Sequence, residues 1–413
     1  MRPVGLDRPL ILTSTLLLAF GLTILYSAGQ TDVSSLASGA WQRQLAWALI
    51  GLGAGAAIFR VSFRVLEWSA PALYGLAVFL LVLVLLIGTG AGTAAGSKSW
   101  LTIGGYRLGQ PAEFAKLAVV IMLAKYLAGL RDPPESLRGL VTPCLLAGVP
   151  FLLVLRQPDL GSAMVFGGIL LAMLYWRGTR PWLLVLLLSP GVSLLSAFNA
   201  MVWGVWMVLL AILLLIWRPY LVEGITVYVI NMAMGAIAIP IWKRLAPYQQ
   251  NRLLTFLNPE VDPTAAGYHA IQSKVAIGSG GWLGNGFLQG PQKRLAFLPE
   301  QHTDFIFPVL GEELGFLGVA AALALFFLFF LVILRIARRS PDPFSSLVAF
   351  GLLGLYFTHV FENVGMTANI MPITGIPLPF FSYGGSFLLV TFMALGLLLR
   401  VAWDSQLGGY LDI

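Results

Sequence analysis

A chain of 413 residues of which 58% are hydrophobic and 10% charged, with a mean hydropathy of +0.86, is excluded from the soluble globular class, where about a quarter of residues carry charge. The net charge of +7 is spread over basic residues lying between apolar runs rather than gathered with aromatics on one surface, which excludes nucleic acid and fits anchoring to anionic lipid. One cysteine, Cys144, inside an apolar run, excludes an intramolecular disulfide and a thiolate metal cluster, and His269, His302 and His359 show no ligand-like spacing.

Apolar segments close to the ~20 residues needed to cross a bilayer recur from end to end. They fall at residues 9–28, 44–61, 71–88, 111–129, 138–155, 161–176, 181–198, 201–217, 224–242, 305–335, 345–366 and 379–402. The expected fold is therefore all-α: a polytopic integral membrane protein of about twelve helices, one domain over residues 1–413, with a long extracytoplasmic loop at 243–303. The first run follows Arg2 and Arg8 and is longer than the ~7–15 apolar residues of a cleavable signal, so it reads as an uncleaved span.

With the N-terminus inside, the cytoplasmic connections are those holding Arg60 and Arg64; Lys125, Arg131 and Arg138; Arg177 and Arg180; Arg218; and Arg335, Arg338 and Arg339. Short loops on the other side, such as 31–42 and 365–378, hold no lysine or arginine. This is the positive-inside pattern, and it puts both termini in the cytoplasm and the polar segments around Glu113, Asp159, 243–304 and Ser382 on the outer face.

Along the chain, those polar segments are where chemistry can sit. In QPAEFAK (110–116), Pro111 suits the first helical position and Glu113 complements the positive end of the helix dipole, which explains them without any ligand. Lys116 lies three residues on, on the same helix face, so the pair could also hold a polar head group. RQPD (156–159) repeats the pattern, bringing Arg156 and Asp159 to a second helix start, where capping is an equal explanation.

The 243–303 loop contains NRLLTFLNP (251–259), Lys274, and the glycine-rich GSGGWLGNGF (278–287), which lacks the lysine and hydroxyl of a phosphate loop and reads as tight turning or close backbone approach to a ligand. Lys293 and Arg294 precede LPEQHTDF (298–305), in which Glu300, His302 and Asp304 stand at the mouth of a long apolar helix. Glu312 and Glu313 lie deeper in that helix, where packing between helices explains them better than chemistry. Glu362 and Asn363 read likewise as structural, and TGIPLPFFSYGGS (374–386) reads as irregular backbone lining a cavity, with Ser382 and Tyr383 able to hydrogen-bond a sugar or phosphate.

Taken together and in this order, QPAEFAKL, RQPDLGSA, GYHAIQSKVAIGSGGW, LPEQHTDFIF and PLPFFSYGGS resemble the motif set of the SEDS family of cell-wall polymerases, with FENVGM (361–366) closer to its elongation members than to its division members. The resemblance implies a peptidoglycan glycosyltransferase that polymerises lipid II, a disaccharide-pentapeptide on undecaprenyl pyrophosphate, at the outer face of the cytoplasmic membrane. It also implies a class B penicillin-binding transpeptidase as partner, within a set of elongation-complex membrane proteins. By position, Asp304 matches the family's essential aspartate, and Glu113, Lys116, Asp159 and Ser382 match its active cavity. The family usually has ten spans; residues 181–242 here hold three helices where it has one.

Glycosyl transfer needs a base for the attacking hydroxyl and cations for the departing pyrophosphate. Asp304 is the expected base. Lys116, Arg156, Lys274, Lys293 and Arg294 are the candidate cations. No ligand cluster marks a metal site, although a divalent cation, Mg or Mn, could share that work. The rival readings are a lipid II flippase, since broken helices and buried acids are features of transporters, and a non-enzymatic scaffold that activates the transpeptidase.

Overall fold

The computed structural model describes residues 5–33, 37–90, 99–103, 106–245, 250–251, 254–256, 266–298 and 300–411. Parts of the expected loop, including most of NRLLTFLNP, lie outside the described residues.

All twelve apolar segments form helices: α1 (Arg8–Ala28), α2 (Ala40–Phe59), α3 (Phe63–Ile87), α4 (Pro111–Ala128), α5 (Leu137–Leu155), α6 (Leu160–Arg177), α7 (Pro181–Ser196), α8 (Ala200–Trp217) and α9 (Leu221–Arg244), then α12 (Ile306–Arg339), α13 (Pro343–Thr367) and α14 (Gly385–Leu411). Their starts follow from local chemistry. Asp7, Ser136, Asp159, Asn199 and Asp342 each accept a backbone N–H of the first turn with the side chain, and α4 and α7 open on proline, whose missing N–H costs nothing there.

Nine of these helices are long and apolar enough to cross a membrane by themselves, among the described residues. The other three depart for visible reasons: α2 carries Gln42, Arg43 and Gln44 near its start, α4 carries Glu113, Lys116 and Lys125, and α7 is only 16 residues long. Between α3 and α4 lies a small antiparallel ribbon, β1 (Leu101–Ile103) with β2 (Tyr106–Gly109), a departure from an all-helical chain.

Successive helices alternate direction, and cross-links respect that. One end is basic: Arg335 pairs with Asp7 at 2.7 Å, and Arg177 donates to the backbone of Leu127 and Leu130. At the opposite end Gln110 bonds Asp159, Gln301 bonds Ala28, and Gln44 bonds the 382–384 backbone. The shared core is built from α1–α6 and α12–α14; Gly55 and Gly396 let α2 and α14 touch at their backbones, the close approach that membrane helices use in place of a hydrophobic drive. Helices α7–α9 form a separate packet around Leu186, Leu210 and Val227, locked by Asn231, whose amide donates to Ser189 Oγ at 2.8 Å while its carbonyl oxygens accept from Ser193 and Trp206.

The expected 243–303 loop is not all loop. It contains α10 (Ala266–Ser279) and the single turn α11 (Pro291–Arg294).

Candidate active site

At the opposite end, three irregular segments meet: 280–305, 368–384 and the turn before α6. Sequence reasoning treats 305–335 as one unbroken helix, but α12 is interrupted at Gly315, whose φ of 61° and ψ of −159° are open essentially to glycine alone. The break leaves a nine-residue half-helix and then about 24 residues, the second alone long enough to span.

The glycine-rich ribbon fills the break. Asn285 and Gly286 N–H groups donate to the carbonyls of Glu312 and Glu313, and Phe316 and Leu317 N–H groups donate back to Gly281 and Trp282. The close approach these glycines allow is to the protein's own backbone rather than to a ligand: a Cβ on Gly284 would stand 2.0 Å from the Glu313 carbonyl oxygen.

Glu312 and Glu313 lie in the half-helix, fully buried, and serve packing as expected. Glu312 accepts from the N–H groups of Gln292 and Lys293 at 2.6 and 3.1 Å. Glu313 pairs with Lys293 Nζ at 2.9 Å and accepts from Ser27 at 2.6 Å, so the Lys293 ammonium is spent inside the protein rather than facing a ligand. Arg294 pairs with Asp32 at 2.9 Å on the surface.

This latch carries the chain into 300–305. Asp304 lies one residue before the cap of α12, partly exposed. Its backbone carbonyl accepts from Asn363 Nδ2 at 2.9 Å, and the same amide donates to Ile376 at 2.7 Å, so one side chain of α13 straps both irregular segments together. Gly375, at φ 73°, faces the Asp304 carboxylate; a Cβ there would stand 3.2 Å from Oδ2. A side chain at this position would crowd the carboxylate.

Ser382 is buried, with its hydroxyl donating to the Thr303 carbonyl at 2.5 Å and accepting from the Leu378 N–H at 2.8 Å. It braces the loop bearing Asp304, a different job from the ligand contact expected of it. Tyr383 stacks on His302, and Arg43, which sequence reasoning passed over at the edge of a span, lies over the Tyr383 ring at 5.1 Å. Burial lowers the His302 pKa below its ordinary value, the Glu300 carboxylate opposes that, and the Arg43 charge adds to it.

The second cluster starts α4. Lys116 Nζ pairs with Glu113 at 2.7 Å and meets His359 Nε2 at 3.1 Å; all three are buried. Since His359 Nδ1 sits 3.1 Å from the Pro377 carbonyl, Nδ1 must be the donor and Nε2 the acceptor of the ammonium proton. Lys116 therefore ties α4 through α13 to the 374–379 segment. Glu362, on the same face of α13 as His359 and Asn363, is buried. Asp159 caps α6 and accepts from Gln110 at 2.8 Å, with partial exposure.

Of the five candidate cations, Arg156 and Lys274 alone are exposed and without an ion pair among the described residues. Lys274 sits on α10, which is held against the site by Ser273, donating to Thr367 at 2.6 Å, and by His269, stacked on Phe305. No three of His, Cys, Asp and Glu come together as a metal-ligand set among the described residues.

A family model described as cell cycle protein, FtsW/RodA/SpoVE, matches residues 7–211 and 200–407, the overlap falling in α8 within the three-helix packet. The chain is 36% identical to the peptidoglycan glycosyltransferase RodA of Treponema pallidum (strain Nichols), covering 96% of this chain and 97% of that one. It is 36% identical to the peptidoglycan glycosyltransferase MrdB of Escherichia coli (strain K12), covering 96% and 94%. Among solved structures, a chain of a peptidoglycan synthase complex that coordinates polymerization and crosslinking superposes with a TM-score of 0.71 at 28% identity, covering 97% and 99%. The rod shape determining protein RodA of Thermus thermophilus superposes at 0.63 and 26%, covering 98% and 99%.

Proposed function

This chain belongs to the FtsW/RodA/SpoVE family of cell cycle proteins, the SEDS family, and we infer from that premise that it is a peptidoglycan glycosyltransferase of the elongation type, extending glycan strands from lipid II at the outer face of the cytoplasmic membrane. The observation that carries the assignment of chemistry is the seat of Asp304: a partly exposed carboxylate, held by Asn363 through its own backbone, facing a position that has no side chain.

In the reaction, Asp304 accepts the proton of the sugar 4-hydroxyl as that oxygen attacks the anomeric carbon of a second, lipid-linked sugar. The bond from that carbon to pyrophosphate breaks, and undecaprenyl pyrophosphate leaves with the electron pair. A positioned base of this kind contributes ~10²–10⁴ in rate. Arg156 and Lys274, exposed and unpaired among the described residues, are the side chains that meet the leaving pyrophosphate, while Lys116 and Lys293 hold the walls.

The positive-inside distribution supports placing the basic end, with both chain ends, in the cytoplasm and the site outside. A class B penicillin-binding transpeptidase is the proposed partner, in company with other elongation-complex membrane proteins; the similarity to a chain of a polymerising and crosslinking complex supports it.

The test is polymerisation of purified lipid II by Asp304→Asn. Glycan synthesis is expected to vanish while expression and thermal stability in detergent stay at wild-type values. Near-normal synthesis by the variant would overturn the assignment of the base.

A further inference from the structure

Far from the site, at the basic end, a groove of about 630 Å³ runs between α1 and α12. Its walls are Leu12, Leu328, Leu331 and Val332, and its mouth is framed by Arg8 and Arg335. Thr13 also lines it, yet the Thr13 hydroxyl is turned to the Pro9 carbonyl at 2.8 Å, so the polar part of that side chain is already satisfied.

The charge at the mouth is unbalanced. Asp7 neutralises Arg335 at 2.7 Å, whereas Arg8 forms no ion pair among the described residues. Arg338 and Arg339, one turn further along α12, are exposed and likewise unpaired among the described residues. At the mouth itself the guanidinium groups of Arg8 and Arg335 stand against the single carboxylate of Asp7, a surplus of one positive charge.

The dimensions restrict the occupant. Arg8 begins the α1 span and Arg335 lies in the last two turns of α12, which is headgroup level. Leu328 lies seven residues deeper, roughly 10 Å at ~1.5 Å per residue, within the ~15 Å of one leaflet's hydrocarbon. A transmembrane helix of a partner needs a seam along the whole span, and this groove is two turns long. A free phosphate would leave the apolar walls unused. A chain of methylenes with an anion at its end satisfies both parts.

We propose that the α1–α12 groove is a binding site for an anionic glycerophospholipid, one acyl chain lying against Leu12, Leu328, Leu331 and Val332 and the phosphodiester meeting Arg8. Basic pockets between helices at a membrane surface take lipid head groups in this way.

The test uses delipidated full-length protein and native mass spectrometry with phosphatidylglycerol or phosphatidylcholine added at equal concentration. The wild type is expected to retain phosphatidylglycerol about fivefold better, the gain that one arginine near a headgroup surface supplies. Arg8→Gln should reduce retention to the phosphatidylcholine level, while Arg64→Gln, an exposed basic residue of the same end outside the groove, should leave it unchanged. Leu12→Trp, which fills the groove without touching charge, should lower retention of both lipids, and lipid II polymerisation in detergent by each variant confirms the fold. Equal retention of the two lipids by the wild type, or an equal loss in Arg8→Gln and Arg64→Gln, would overturn the proposal. So would a bound protein helix that displaces phosphatidylglycerol from the groove.

Discussion

Two kinds of side chain hold the site together, and the sequence displays only one of them. Asp304, Glu113, Lys116 and Asp159 stand out because ionisable groups at the edges of apolar runs are costly to place and rare. Asn363 reads as structural and His359 as isolated, but the partners of both are backbone carbonyls of a non-local segment, Ile376 and Pro377, that no spacing along the chain reveals. Removing Asn363 with alanine leaves two carbonyls short of a donor, each worth about 1–3 kcal/mol if buried, and lets the Asp304 loop drift. A displacement of ~1 Å at the base can cost about 10²-fold, so Asn363→Ala should reduce lipid II polymerisation far more than it lowers the thermal midpoint. Lys293→Met strands Glu313 in a sealed interior and should cost about 3–5 kcal/mol, seen as reduced yield and thermal stability; adding Glu313→Leu should recover part of it. His302 supplies a pH signature. Its pKa is lowered in the fold, so it binds a proton less readily there than in the unfolded chain, and stability present above about 6.5 is lost as pH falls from there. His302→Gln should flatten the acid limb of the thermal midpoint measured from pH 7 down to pH 5.

Helices were legible because their signals are local: apolar length, a capping oxygen, a proline in the first turn. The interruption of α12 was not, since the apolar run resumes directly after Gly315 and a lone glycine is tolerated in many membrane helices. What makes this glycine different is the ribbon 281–286 lying across it, a pairing set by residues some thirty positions upstream. Gly315→Ala would put a methyl 2.3 Å from the Gly284 nitrogen in a conformation closed to alanine, and membrane-inserted, folded protein should fall below detection by gel filtration in detergent. The packet α7–α9 was foreseen as three helices, and its internal lock on Asn231 was not, because a single asparagine in an apolar run gives no hint of its partners.

For the whole molecule, alternating helix directions agree with the distribution of arginines: every cross-link joins like ends. Sidedness is checked in a Cys144→Ala background by introducing Ser38→Cys or Asp132→Cys, both exposed and at opposite ends of the bundle. A membrane-impermeant thiol reagent on intact cells should modify the first and spare the second.

The ribbon seated in the interrupted helix also governs which lengths of chain evolution can vary. Its four backbone bonds are in register with Glu312 to Leu317, and the two glutamates are in register with α11. Gaining or losing one residue within 281–286 or 312–317 would throw the ribbon's ladder out of phase, and within 287–292 it would part the α11 donors from the two carboxylates. The tight connection at 218–220, between two helices of the peripheral packet, has no such bookkeeping and is the natural place to splice in a reporter or an affinity tag.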